Sequence, residues 1–247
     1  MCSKVVKIYR LVTDRVFLRE AVLYRIPAAV EHLNILKYTQ PKHLIDVGAN
    51  KGQFALAAYR SVDGITIDCF EPLSGPAERL EKWAKRTSSN IRLHRVALSD
   101  RSSLSEFMVT SREDSSSLFR PTEDAKELSD VQLVSQIQVQ CERLDSIITV
   151  DDVEMSTMLK IDVQGNELNV LKGATAIIRY IKYIYIEVSF MELYENQPLF
   201  GDIDNFLREF GFSLRGVGNC YTDAEFGPTQ ADILYQNDKP MGAREKE

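Results

Sequence analysis

Four carboxylates and a glycine loop carry the residue types that could do chemistry in this chain. Asp46-Val47-Gly48-Ala49-Asn50-Lys51-Gly52 follows a short apolar run and precedes a helical stretch from 53 to about 60. Glycines let a backbone turn tightly and approach a ligand without a Cβ clash. Asp46, ending the run, can accept a hydrogen bond from a ligand ammonium or from the loop amides. The small residues run G-x-N-x-G, with an acid two positions ahead of the first. A dinucleotide fold needs G-x-G-x-x-G, with its amides aimed at a pyrophosphate, so this loop suits an amino-acid moiety better. Phe70-Glu71-Pro72 closes the next apolar run. A carboxylate there can accept bonds from both hydroxyls of a ribose, a feature shared with nicotinamide enzymes. Asp162 and Glu187 end two later apolar runs, where a carboxylate can take the proton of a reacting hydroxyl. Asp162 is the first candidate base and Glu187 the second. Asp162 has an alternative role in bracing its loop or meeting a ligand amine.

These residues need a sheet whose strand ends share one crevice. From residue 42 apolar strands alternate with helices: strands at 43–47, 65–70, 91–98, 158–163 and 183–188, and helices at 53–60, 76–86, 167–171, a second one from there to about 181, and 203–210. That rhythm predicts a parallel sheet with helices on both faces. Strands at 212–217 and 232–235, joined without a helix, would form an antiparallel hairpin. Residues 1–40 read as helical, seven basic against three acidic, with Pro27 in the first turn of a second helix. A helical cap with solvated charges is expected there, a membrane-surface helix being the alternative. Residues 102–136 interrupt the rhythm with nine serines and seven acidic against three basic residues, as a lid or a disordered loop. The stretch 219–228 is a plausible substrate loop by position, and the polar tail from 238 is expected to fray.

Composition narrows the field. At 247 residues, 44% hydrophobic, the chain can bury one sizeable core. A net charge of −6 disfavours a nucleic-acid substrate, because phosphate binding needs basic surface. Cys2, Cys69, Cys141 and Cys220 show no zinc spacing and read as reduced thiols. Asp162 and Glu187 could share Mg²⁺, but no third ligand is evident and no metal is expected. Charges interrupt every apolar run, so a soluble cytoplasmic protein without stable membrane insertion is expected. Nothing bears on oligomeric state. Glu167, His94, Trp83, Tyr183 and Tyr185 read as structural.

The motifs together resemble the FkbM-type methyltransferases. They are Asp46 to Gly52, Phe70-Glu71-Pro72, Ala97-Leu98-Ser99-Asp100, Arg143-Leu144-Asp145, and a long block from Leu159-Lys160-Ile161-Asp162-Val163-Gln164-Gly165-Asn166-Glu167 to Val170-Leu171-Lys172-Gly173. The resemblance covers roughly 42–236 and leaves the first 40 residues outside. It implies a class I, Rossmann-like fold with seven strands, mostly parallel with an antiparallel last strand, behind N-terminal helices. It also implies S-adenosylmethionine as methyl donor and a small-molecule hydroxyl, on a sugar or natural product, as acceptor. Asp46, Gly48, Ala49, Asn50 and Gly52 would hold the methionine part, Glu71-Pro72 the ribose, and Ala97 and Leu98 would border the adenine. The competing readings are a nicotinamide-dependent oxidoreductase, which fails on glycine spacing, and a binding module that transfers nothing.

Overall fold

The computed structural model describes residues 4–242. Three N-terminal helices, α1 (Lys4–Thr13), α2 (Arg15–Leu23) and α3 (Leu33–Thr39), precede an alternating series. That series begins β1 (His43–Val47), α4 (Gln53–Ser61), β2 (Thr66–Phe70), α5 (Ser74–Thr87), β3 (Ile91–His94) and β4 (Ala97–Leu98). It continues with β5 (Ser103–Thr110), α6 (Glu123–Ser129), β6 (Leu133–Glu142), β7 (Met158–Ile161) and α7 (Glu167–Lys172). It ends with β8 (Tyr183–Ser189), α8 (Phe200–Glu209), β9 (Phe212–Asp223) and β10 (Gly227–Asn237). Seven strands form one sheet in the order β3-β2-β1-β7-β8-β10-β9. β10 runs antiparallel to both its neighbours, as the expected last-strand hairpin requires.

β1 is buried on both faces, which is why its sequence is apolar except at His43 and Asp46. Its alternate residues serve two cores. Leu44 joins Phe54, Leu56, Leu80 and Trp83 beneath α4 and α5, while Ile45 and Val47 join Val170, Leu171, Ile203 and Leu207 beneath α7 and α8.

The N-terminal helices pack on the first of these cores through Phe17, Ile26 and Leu36. Burying Phe17 alone contributes about 1.5–3 kcal/mol to holding them there. Asp14 separates α1 from α2 and caps the latter, its carboxylate accepting from Val16 N at 2.8 Å and Phe17 N at 3.3 Å. Pro27 does not begin a helix. It lies in an irregular link, because a proline disfavours the helical conformation at the preceding residue and Ile26 and Ala28 are drawn into the core. Helix resumes as a short 3-10 turn, Val30–His32.

Three other differences from the sequence reading have physical causes. The third strand is broken: His94 is the last residue of β3 with a partner on β2, so the chain leaves the sheet edge and Ala97-Leu98 pairs with β6. The serine-rich insertion is structured. β5 and β6 form an antiparallel pair carrying α6, and β6 runs on to Glu142. The first helix after β7 ends at Lys172, close to its expected end, but in place of the second one only a 3-10 turn, Ile178–Tyr180, precedes β8. No helix among the described residues is long and apolar enough to cross a membrane.

Candidate functional site

The carboxyl ends of β1, β2, β7 and β8 face a set of connected clefts. The loop after β1 is shaped by backbone strain that its residues tolerate. Gly48 has φ +74° and Asn50 +48°. A Cβ on Gly48 would stand 1.9 Å from the carbonyl oxygen of Asp162, so β1 and β7 meet here only because the position is glycine. Gly52, at φ +92°, begins α4 and lies against Leu80. The amides of Gly48 and Ala49 donate to Phe70 O at 3.1 and 3.0 Å, tying the loop to the end of β2.

Glu71 completes that tie. Its Oε2 accepts from Asn50 N at 2.9 Å and its Oε1 from Leu73 N at 2.8 Å. Burial pushes its carboxyl up to about 7, against the pull of these two amides. Glu71 therefore braces the loop as well as facing the cleft.

Asp46 lies beneath the loop and not on a cleft wall. It is fully buried, and neither oxygen has a well-formed hydrogen bond within the described residues. Its partner is Lys160, whose Nζ stands 3.3 Å from Asp46 Oδ1 and 3.8 Å from Asp162 Oδ2, and donates to Gly48 O at 3.3 Å. Burial opposes both charges. For Lys160 the surrounding Asp46 and Asp162 prevail and hold its ammonium above the usual lysine value; for Asp46 burial prevails and raises the carboxyl.

Asp162 and Glu187 are brought together by a residue that sequence reasoning passed over. Gln164, at φ +57°, donates its amide nitrogen to Asp162 Oδ1 and to Glu187 Oε2, both at 2.8 Å. Tyr194 Oη, 2.9 Å from Gln164 Oε1, orients that amide. Gln230 adds a second donor to Glu187 Oε2 at 2.9 Å. Burial first, then Asp162 and Asp232, push the Glu187 carboxyl well above the usual range. Glu167, by contrast, accepts from Val163 N and Gly165 N and is structural. So is His94, which shares Asp68 with His43 and Arg92.

Three clefts open here. The first, about 540 Å³ including its mouth, is polar at one end, where Asn50, Glu71 and Asp162 lie, and apolar at the other, with Val96, Ala97, Leu98, Phe107 and Leu118. Six of the nine residues expected at a cofactor line it: Gly48, Asn50, Glu71, Pro72, Ala97 and Leu98. The second lies between the N-terminal helices and the β1 loop and is lined by Ala49, His32, Phe54, Lys160 and Tyr221 among others. The third lies under the insertion, beside Glu187, Tyr194 and Gln230. Asp162 and Asp114 line all three. The stretch 219–228, expected as a loop, is instead the end of the β9–β10 hairpin, and Tyr221 on it lines the second and third clefts.

The first cleft fits S-adenosylmethionine: an apolar end for a purine, a buried carboxylate for hydroxyls, and a glycine cradle beside Asn50 Oδ1, a buried acceptor with no partner in the described residues. Residues 46–214 match the methyltransferase FkbM domain. The chain is 29% identical over 169 residues to the 2-O-methyltransferase NoeI of Sinorhizobium fredii, covering 65% of this chain and 69% of that protein. It is 27% identical over 229 residues to the 31-O-demethyl-FK506 methyltransferase FkbM of Streptomyces tacrolimicus, covering 84% and 81%. Among solved structures, the precorrin-6y C5,15-methyltransferase of Geobacter metallireducens superposes with a TM-score of 0.43 at 11% identity, over 83% of this chain and 85% of that one. The chain belongs to the FkbM methyltransferase family and is an S-adenosylmethionine-dependent enzyme.

Proposed function

We propose that the protein methylates a hydroxyl oxygen of a small molecule, with Asp162 as the general base. One observation carries this reading: Asp162, held by Gln164 just past the end of β7, lines the first cleft and also both neighbouring ones, so its half-exposed carboxylate adjoins the proposed donor and acceptor sites alike. The names of the two relatives, a 2-O-methyltransferase and a methyltransferase of 31-O-demethyl-FK506, support oxygen as the atom methylated. The net charge of −6 favours a small molecule over a nucleic acid.

When bound, S-adenosylmethionine supplies a methyl group on a sulfonium, which departs as a neutral thioether. The chain's own work is alignment and proton removal. The 48–50 loop and Glu71 hold the donor, with Pro72, Ala97 and Leu98 beside its nucleoside. Asp46 acts from below, by holding Lys160 and through it the Gly48 carbonyl. Asp162, fixed by Gln164 and 3.8 Å from the Lys160 ammonium, takes the acceptor's hydroxyl proton as the new carbon–oxygen bond forms. Glu187 is the weaker candidate, because burial and the neighbouring Asp162 and Asp232 disfavour its charged form.

The reading is tested with methyl-labelled donor and a panel of hydroxylated small molecules, amines and tRNA. Label should appear in a small-molecule product as an ether, stable to mild alkali. Label found only on tRNA, on an amine, or in an alkali-labile ester would overturn it.

A further inference from the structure

His32, among the N-terminal residues that line the second cleft, is one that no sequence motif pointed to. Its position is built. Ala29 N donates to Gln53 O at 3.0 Å, joining the 3-10 turn Val30–His32 to the start of α4. Lys7 pairs with Glu31 at 2.7 Å, and Arg10 donates to Val30 O at 3.1 Å. The imidazole is enclosed by Phe54 and Tyr185, with ring centres 5.4 and 5.5 Å away.

Its hydrogen bonds select a tautomer. The Tyr185 hydroxyl lies 2.9 Å from His32 Nδ1 and has no other hydrogen-bond partner among the described residues. Asn219 Nδ2, fixed as a donor by Asp232 Oδ2 at 2.7 Å, lies 3.4 Å from the same nitrogen. If Nδ1 carried the hydrogen, the buried Tyr185 hydroxyl would have nothing to donate to, and the Asn219 N–H would face another N–H. Nδ1 is therefore the acceptor and Nε2 carries the hydrogen. Nε2 has no partner among the described residues, and it is absent from their sealed, unpartnered polar atoms. Burial lowers the imidazole to about 4, so the ring is neutral at pH 7.

We infer that the cleft between the N-terminal helices and the β1 loop receives the methyl acceptor, and that His32 binds an acceptor oxygen through Nε2–H. This rests on the O-methylation reading and deepens it. The cleft, about 1040 Å³ including its mouth, shares Gly48, Asn50, Asp114 and Asp162 with the first. Its cations are neutralised locally, Lys7 by Glu31 and Lys160 by Asp46 and Asp162. What remains for a ligand is a neutral N–H donor, the Asp114 and Asp162 carboxylates, the Tyr221 and Gln53 side chains and the aromatic wall of Phe54. That set fits an uncharged, hydroxyl-rich ring of the hexose class. The third cleft, where Arg112, Asp114, Asp162 and Glu187 meet, offers a ligand a different lining, with a cation of its own.

The chain has three histidines, and the other two, His43 and His94, are bound to Asp68. Nitrogen-15 correlation spectra can therefore follow His32 by itself. At pH 7 it should show the Nε2–H tautomer. Methyl glycosides of neutral hexoses and deoxyhexoses, added with saturating S-adenosylhomocysteine, should move its resonances and leave His43 and His94 in place. His32→Leu should weaken glycoside binding on the order of tenfold, one well-placed hydrogen bond, with S-adenosylhomocysteine affinity unchanged. His32→Gln, which keeps an N–H donor, should recover most of it. An Nδ1–H or imidazolium ring, or glycosides that leave His32 unmoved, would overturn the inference. Methyl transfer to a glycoside with His32 unmoved would sink this inference and spare the reading above. Movement of His32 without transfer to any hydroxyl would sink the reading above and leave His32 a glycoside contact but not an acceptor contact.

Discussion

Lys160 and Asp46 form a closed-off ion pair, Nζ to Oδ1 at 3.3 Å, directly beneath the loop proposed to hold the donor. Removing one partner of a buried pair leaves the other charge uncompensated, which costs about 3–5 kcal/mol. Lys160→Met should therefore lower the melting temperature by on the order of 6–20 °C, at about 2–4 °C per kcal/mol for a chain of this size. The double variant Lys160→Met, Asp46→Asn removes both charges and should regain much of that loss. A single variant as stable as the wild type would show that the pair is not what holds the loop.

Asp162→Asn keeps the shape of the side chain and removes its charge. Donor binding should persist while transfer to a hydroxyl falls by about 100- to 10,000-fold, the usual worth of a general base. The asparagine can still face Gln164, so the loop need not move. Calorimetry with S-adenosylhomocysteine and single-turnover transfer separate the two effects. Wild-type turnover in the variant would pass the role to Glu187.

How much of this was legible in the sequence depended on whether a signal was local. Strand ends such as Asp46, Glu71 and Asp162 were readable because an acid stopping an apolar run next to a turn is a local event. The break after His94 was not, since it depends on where β2 runs out of partners across the sheet. Lys160 was visible as a charge inside an apolar strand, yet only the register of β7 against β1 shows that it faces Asp46. Gln164 looked like part of a turn, and its function as a clip between Asp162 and Glu187 requires β7 and β8 to be neighbours. His32 carried no signal at all: Tyr185, its partner, is 153 positions away.

Glu71 has one amide on each oxygen, leaving a lone pair on each for a ribose hydroxyl. Ribose donors favour the charged carboxylate, whereas burial has raised it to about 7. Donor binding should therefore release a proton, and affinity should climb as pH rises from 6 toward 7 and level off above it. Below pH 7 the slope should approach about tenfold per pH unit. Glu71→Gln cannot titrate and should show a flat profile, with affinity at pH 8 at least about tenfold below the wild type. Turnover at saturating donor should change little, because the ribose lies away from the transferred methyl. Calorimetry with S-adenosylhomocysteine at pH 6, 7 and 8 decides it, and a wild-type profile as flat as the variant's would detach Glu71 from the ribose.

The loop between β5 and α6 is fastened to the site at several points, and each fastening is one that closure over a ligand would use. Glu113 pairs with Lys51 at 2.7 Å and lies 3.6 Å from Arg79, joining the insertion to the β1 loop and to α5. Ser117 Oγ donates to Gln164 O at 2.6 Å, and the Tyr194 hydroxyl lies 2.9 Å from Ser115 O. Asp114 lies between these ties and lines all three clefts. Residues 111–118 should then act as a lid: their amides should exchange more slowly when donor product and acceptor are both bound than in the free protein. Glu113 is partly exposed, so its ion pairs contribute under about 1 kcal/mol. Glu113→Gln should accordingly leave the melting temperature within a few degrees while raising the dissociation rate of S-adenosylhomocysteine by up to about fivefold. Equal exchange at 111–118 with and without ligands, together with an unchanged dissociation rate, would mean that the insertion is a fixed wall. In that case the acceptor must enter past the N-terminal helices without any closing step.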